Sequence, residues 1–187
     1  MARTEVSLAG FGGQGIVLSG YIIGQADCIY DNQHAIMTQS YGPEARGGAC
    51  ASNVVISDKP IAYPAVTNPQ VIVVMSQEAY QKYGRRRDPD ATLIIDEELV
   101  ELDKDDSGRI IAAPFTRFAN EVGRKIVANI VMLGFFTAVA DIVSPQAMKD
   151  SILASVPKGT ENLNMRAFDK GYECGLNQKQ VLKGNAK

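Results

Sequence analysis

The chain has 187 residues, enough for one domain whose core needs no disulfide or metal staple. Lys and Arg number 19 against 21 Asp and Glu, a net charge of -2, which argues against nonspecific nucleic-acid binding because that needs a basic field. One histidine, His34, and three cysteines, Cys28, Cys50 and Cys174, restrict the available chemistry further.

Glu5 to Ala9 is a short strand-like run, followed by the glycine-rich Gly10–Gly15. From Ile16 to Ile29 the apolar residues recur near helical spacing, and Asp31-Asn32 breaks the pattern. His34 to Gln39 is a second strand, and Ser40 to Gly48 is a loop with three glycines and a proline in nine residues. Ala49 to Ile56 reads as a strand centred on Val54-Val55-Ile56. Pro60, Pro64 and Pro69 make the following stretch irregular. Val71 to Val74 is a continuous apolar run of the kind that suits a parallel strand buried on both faces. Ser76 is placed to cap a short helix that runs to Tyr83 and is ended by Gly84. Arg85-Arg86-Arg87 reads as solvated surface, with a phosphate or partner-subunit contact as the alternative.

Further strands are expected at Thr92–Ile95 and Arg109–Ala113, then a helix over Thr116–Val122. Ile126 to Ala140 is apolar for 15 residues. A membrane span needs about 20, so this is a buried helix. Ser144-Pro145 opens a helix to about Ser155, and a last helix is expected from Glu161 to Cys174, with a polar tail from Leu176. Strands alternate with helices early and helices dominate late. The fold class is therefore α/β: a single Rossmann-like domain with a mostly parallel sheet flanked by helices and a helical C-terminal part.

No C-x-x-C occurs, so zinc ribbons, ferredoxin-type clusters and thioredoxin motifs are not expected. The odd cysteine count suits a reducing compartment, and all three cysteines are expected as small buried hydrophobes. His34 reads as a strand opener rather than a catalytic base. The N-terminal Met-Ala-Arg-Thr-Glu-Val is not a signal peptide, and a cytoplasmic protein with no membrane partner is expected.

Two loops carry the functional signal. The first, Gly10-Phe11-Gly12-Gly13-Gln14-Gly15, lies between a strand and a helix. Its glycines permit a tight turn and close approach, and the helix N-terminus behind it attracts anions. The plain alternative is a tight turn without a ligand. Dinucleotide binding needs an acid at the end of the second strand, and Met37-Thr38-Gln39-Ser40 supplies none. Gln14, both donor and acceptor, suits mixed polar contacts. The second loop, Ser40-Tyr41-Gly42-Pro43-Glu44-Ala45-Arg46-Gly47-Gly48, is expected at the same carboxyl edge of the sheet. Arg46 either pairs with Glu44 to shape the loop or faces a neighbouring subunit or an anionic substrate. The candidate ligand or active-site-edge residues are Gly12, Gly13, Gln14, Gly15, Ser40, Tyr41, Gly42, Glu44, Arg46, Gly47 and Gly48. No catalytic or metal-ligating residue stands out.

Together the two loops resemble the gamma subunit of the 2-oxoacid:ferredoxin oxidoreductases, as do Ile56-Ser57-Asp58-Lys59-Pro60-Ile61 and Asn129-Ile130-Val131-Met132-Leu133-Gly134. The second loop resembles the form found in 2-oxoglutarate-type enzymes. The resemblance implies a gamma-type companion domain over 1–175, leaving 176–187 as the tail. It implies a multi-subunit enzyme that converts 2-oxoglutarate and coenzyme A to succinyl-CoA and CO2, reducing ferredoxin, or runs the reverse carboxylation. Thiamine diphosphate with magnesium is then expected between alpha and beta subunits, and 4Fe-4S clusters on beta and, where present, delta. This chain alone would bind no cofactor, and its partners would be those subunits. An interface larger than about 2,000 Å² is expected. A different 2-oxoacid, or a self-sufficient nucleotide-binding oxidoreductase, remain the alternative readings.

Overall fold

The computed structural model describes residues 3–40 and 48–184. Strand β1 (Thr4–Phe11) leads through the first loop into helix α1 (Ile16–Gln25), which widens into a π-helical turn at Ala26–Tyr30. Strand β2 (His34–Ser40) and strand β3 (Ala49–Ser57) follow, then β4 (Val71–Val74), the short helix α2 (Gln77–Ala79) and a second π turn at Tyr80–Gly84. Strands β5 (Thr92–Asp96) and β6 (Arg109–Ala113) precede α3 (Phe115–Val122), a 3-10 turn at Lys125–Val127, α4 (Ala128–Ala140), α5 (Pro145–Ser155) and α6 (Glu161–Gly184).

The six strands form one sheet in the order β2-β3-β1-β4-β5-β6. β1, β4, β5 and β6 pair in parallel. β3 alone is reversed, antiparallel to both β1 and β2, so every other strand ends at one carboxyl edge. Alternate residues enter different cores, as a strand's two-residue period requires. Val6, Leu8, Val71 and Val73 pack under α1, α4, α5 and α6, whereas Ala9, Ile72 and Val74 face α2 and its π turn.

Caps stand where their residue types placed them. Ser76 Oγ accepts from Ala79 N, and Ser144 Oγ from Ala147 N with Pro145 in the first turn. α4 is buried from Asn129 to Val139, as a helix apolar on all sides must be. Its start differs from expectation, because residues 125–127 form a tighter turn that leaves Ile126 74% exposed. α6 also continues beyond Cys174 to Gly184, so the polar stretch from Leu176 is helical that far. Its Gly134-facing side supplies the reason. A Cβ on Gly171 would lie 1.9 Å from Val131 O, and one on Gly134 2.1 Å from Phe168 O. Bare glycine lets the two helix backbones touch, and Gly175 extends that contact past the expected end.

Two expectations are corrected. Arg87 is not solvated surface: its side chain is 4% exposed and meets Asp106 at 2.6 Å. Tyr80 donates its hydroxyl proton to the same carboxylate and accepts from Asp103 N. Burial would raise the Asp106 carboxyl, but the Arg87 and Tyr80 hydrogen bonds outweigh it and hold the group below the usual carboxylate range. Arg85 remains largely exposed, paired with Asp103. The cysteines also divide, with Cys50 buried, Cys174 intermediate and Cys28 exposed on the first π turn. At about 3.6 residues per turn Cys28 falls on the side of the helix away from the buried Ile16, Ile23 and Ala26.

The proline-rich connection before β4 is held by one carboxylate. Glu5 Oε2 accepts from Thr67 N at 2.6 Å and Asn68 N at 2.8 Å, while Arg3 bridges Glu5 to the carbonyls of Tyr63 and Ala65. Burial pushes Glu5 up, yet the Asn68 N–H, Arg3 and the Thr67 N–H together keep it below the usual range.

Candidate functional site

The first loop forms as a closed turn. Gly13 and Gly15 hold φ of 99° and 75°, left-handed values that favour glycine. Gly15 is the cap residue of α1. Gln14 locks the turn: its Oε1 accepts from Phe11 N at 2.9 Å, and its Nε2 donates to Met75 O at 2.6 Å. The mixed donor–acceptor character read from the sequence is thus used inside the protein, tying the loop to the end of β4. Gly10 makes this possible, because a Cβ there would stand 2.5 Å from Gln14 Oε1. Gly12 has open space around its Cβ position. α1 begins with no side-chain cap and no acid in its first turn, so its first N–H groups face the edge with their positive dipole end.

The second loop starts from the same edge. β3 pairs Ala49 with Phe11 and Ala51 with Ser40. Ser40 and Gly48 therefore stand beside the first loop at the sheet's carboxyl end. Ala49 N donates to Glu78 Oε1 at 3.1 Å, which fixes the point where the chain returns. Tyr41, Gly42, Glu44, Arg46 and Gly47 lie outside the described residues.

Other residues of this edge were not among the candidates read from the sequence. Asp96, at the end of β5, is fully buried and accepts from Thr116 N and Thr116 Oγ1 at 3.0 and 2.6 Å, capping α3. A cleft of about 320 Å³ runs from Phe11 and Gln14 to Thr116 and Lys125. A second, of about 360 Å³ and mainly apolar, runs from Gly13 and Leu18 past Asn129 to Leu163. Asp96 is hard to recognise because it acts on Thr116 of α3, 20 residues later; Asn129 opens a stretch that carries the resemblance, but its place against Gly15, whose Cβ position is 2.5 Å from Asn129 Nδ2, is set only by the fold. His34 opens β2 and is exposed.

The donor set does not fit an iron–sulfur cluster. Cys28, Cys50 and Cys174 stand on a π turn, a strand and a C-terminal helix. Among the described residues no three His, Cys, Asp or Glu side chains are grouped to hold a metal ion. Burial pushes the Cys50 and Cys174 thiols up, away from the thiolate that a metal or an electrophile would require. No helix of the described residues is long and apolar enough to cross a membrane.

Residues 5–174 match the family described as pyruvate ferredoxin/flavodoxin oxidoreductase. The chain is 52% identical over 174 residues to the 2-oxoglutarate synthase subunit KorC of Methanocaldococcus jannaschii, covering 91% of this chain and 93% of that one. Its fold superposes with TM-score 0.86 on the keto/oxoacid ferredoxin oxidoreductase gamma subunit of Geobacter sulfurreducens, at 38% identity and 95% and 98% coverage. It also superposes with TM-score 0.82, at 24% identity, on the 2-oxoglutarate:ferredoxin oxidoreductase of Magnetococcus marinus, covering 94% of this chain and 31% of that one.

Proposed function

Because the chain belongs to the pyruvate ferredoxin/flavodoxin oxidoreductase family, we infer that it is the gamma subunit of a 2-oxoglutarate synthase. The enzyme joins 2-oxoglutarate and coenzyme A, releases CO2 and succinyl-CoA, and passes two electrons to ferredoxin. The observation that carries this reading is 52% identity to a KorC subunit across nearly the whole length of both chains. Thiamine diphosphate, held between the alpha and beta subunits in this reading, would supply the electron sink, with the clusters on beta and, where present, delta. That division of labour accords with cysteines placed on three separate elements. The working compartment is the cytoplasm.

The part this chain plays is positional. Gly12, Gly13, Gln14 and Gly15, with Ser40 and Gly48 beside them, form a narrow edge without bulky side chains on which a neighbouring subunit or the coenzyme can close. Gly12 and Gly13 present backbone with nothing within 4 Å of a Cβ position. Tyr41, Gly42, Glu44, Arg46 and Gly47 belong to the same edge in this reading, and Arg46 supplies its cation for a carboxylate or phosphate.

Reconstitution with the alpha and beta subunits of the enzyme tests the reading. Coenzyme A-dependent ferredoxin reduction is expected to proceed with 2-oxoglutarate at least about tenfold more efficiently, by kcat/KM, than with pyruvate, branched-chain or aryl 2-oxoacids, a difference of about 1.4 kcal/mol. Equal or greater efficiency with another of these acids would reassign the substrate.

A further inference from the structure

Both loops of the edge are fastened to one corner of the chain. Phe11 and Ala49 form the last pair of the β1–β3 ladder, and side chains take the N–H groups of both. Phe11 N donates to Gln14 Oε1 at 2.9 Å, and Ala49 N to Glu78 Oε1 at 3.1 Å. Gln14 is in turn tied to Met75 O. Both acceptors are therefore held by the turn through which β4 enters α2. Gln77, in the same turn, exchanges hydrogen bonds with the backbone of Glu101 in the connection after β5, at 2.7 and 3.1 Å. The connections that follow β1 and β5 and the one that precedes β3 thus all close on Met75–Glu78.

Glu78 is the unexpected member of this corner. An acid in the first turn of a helix ordinarily answers the helix dipole. α2 has only three residues, and the Glu78 carboxylate reaches instead to a strand 29 residues earlier. Glu78 is exposed whereas Ala49 is buried. Removing the carboxylate therefore spares the core but takes away the acceptor at the point where the second loop re-enters the sheet. A buried donor left without an acceptor is costly, and the chain relieves that cost by moving the re-entry point.

We propose that Glu78 is a positioning residue of the assembled enzyme. Through Ala49 N it holds the end of the second loop against Phe11 and the first loop, and so gives the edge the shape on which coenzyme A closes. The proposal rests on the gamma-subunit reading above, in which 2-oxoglutarate meets thiamine diphosphate between the alpha and beta subunits and coenzyme A is the reactant left for this edge. Small displacements of groups that orient a reactant are expensive, so loss of this hydrogen bond shows in coenzyme use before it shows in folding.

The test uses the full chain assembled with its alpha and beta subunits. Glu78→Ala is expected to raise the KM for coenzyme A about tenfold, while kcat and the KM for 2-oxoglutarate stay within about twofold of wild type. Glu78→Gln is expected to restore the coenzyme KM, because a carboxamide oxygen still accepts from Ala49 N. In the free chain, Glu78→Ala should speed amide hydrogen exchange at Ala49 and Glu78→Gln should not, with both variants melting as wild type. A wild-type coenzyme KM in Glu78→Ala would overturn the proposal alone. Glu78→Gln as impaired as Glu78→Ala would overturn it too, giving the carboxylate charge a direct contact instead. A KM raised equally for both substrates, or weaker assembly, would reduce Glu78 to a structural or subunit contact. Preference of the wild-type enzyme for another 2-oxoacid would reassign the substrate and leave the Glu78 comparison standing. Failure of the wild-type chain to assemble would bring down the subunit reading and this proposal with it.

Discussion

The glycine edge and the seam between α4 and α6 are both built on glycine, for opposite reasons. At the edge, Gly13 and Gly15 are needed for their dihedral angles, with φ of 99° and 75°, and a side chain on Gly13 would meet only open space. At the seam, Gly134 and Gly171 have ordinary helical backbone, and the missing side chain is what matters, because Cβ atoms would sit 2.1 and 1.9 Å from the carbonyl oxygens of the facing helix. At Gly12 and Gly13 the edge leaves space in front of the glycine, whereas Gly15 needs both its dihedral angle and its missing side chain, since a Cβ there would stand 2.5 Å from Asn129 Nδ2. The seam uses glycine to remove space altogether. One region is thereby open to a partner, and the other anchors the helical layer behind it.

The sharpest way to break this contrast is Gly171→Ala. The obstructing atom is backbone, so the helices must part, and a loss of about 3 kcal/mol is expected. Urea denaturation at constant m-value measures it; a loss below about 1 kcal/mol would mean that the seam yields and the contrast is one of degree.

The same helical layer offers a pH test that the edge lacks. Asp27, on the first π turn, is 1% exposed and one of its carboxylate oxygens has no partner. Burial, and then the charge of Asp31, push it from 3.8 to about 7. Asp31 is itself engaged, accepting from Ser144 N and Oγ at the start of α5. The folded chain therefore holds a proton that the unfolded chain releases at lower pH. This contribution to stability is complete below pH 3.8, declines as pH rises to about 7, and is flat above. Asp27→Asn is expected to abolish the decline and to stabilise the chain by about 1–3 kcal/mol at pH 8. Denaturation midpoints measured across that range would show an unchanged slope if Asp27 titrates normally.

Gly13→Val probes the edge. Its positive φ should cost a β-branched residue about 1–2 kcal/mol, clearly less than the seam substitution, by the same urea measurement. An equal cost would mean that the loop is as tightly packed as the helices.

The smallest effect sharpens the comparison most. Gly12→Ala has neither a positive φ nor a neighbour within 4 Å, so the free chain should change by less than about 0.5 kcal/mol. If coenzyme A-dependent turnover of the assembled enzyme then falls severalfold, the edge is approached closely by something outside this chain. Unchanged turnover would limit Gly12 to the turn.

What could be read beforehand follows the same division. Ser76 and Ser144 were recognisable as caps because a cap acts three residues along the chain. β4 was recognisable because four apolar β-branched residues in a row suit a strand covered on both faces. Arg87 was misread because three adjacent arginines look like solvent-facing charge, and its partner Asp106 comes 19 residues later. Cys28 was misread because the usual burial of cysteine outweighed its position off the buried stripe of the helix. At the candidate site, the glycines and Gln14 stood out as a motif, but not the inward use of Gln14, whose acceptor is the carbonyl of Met75 just past the end of β4. Ile126 looked like the first residue of a buried helix, and only the turn before α4 turns it outward.

The sequence by itself determined the alternation of strands and helices, the glycine edge and its paired loops, and through them the family, because these depend on local periodicity and on residues close together in the chain. Only the tertiary structure decided which glycines serve a turn and which a helix contact, which arginine is buried, and that Ile126 stands exposed between two clefts. Those depend on atoms brought together across long chain separations, where packing and hydrogen bonding, not propensity, set what each side chain does.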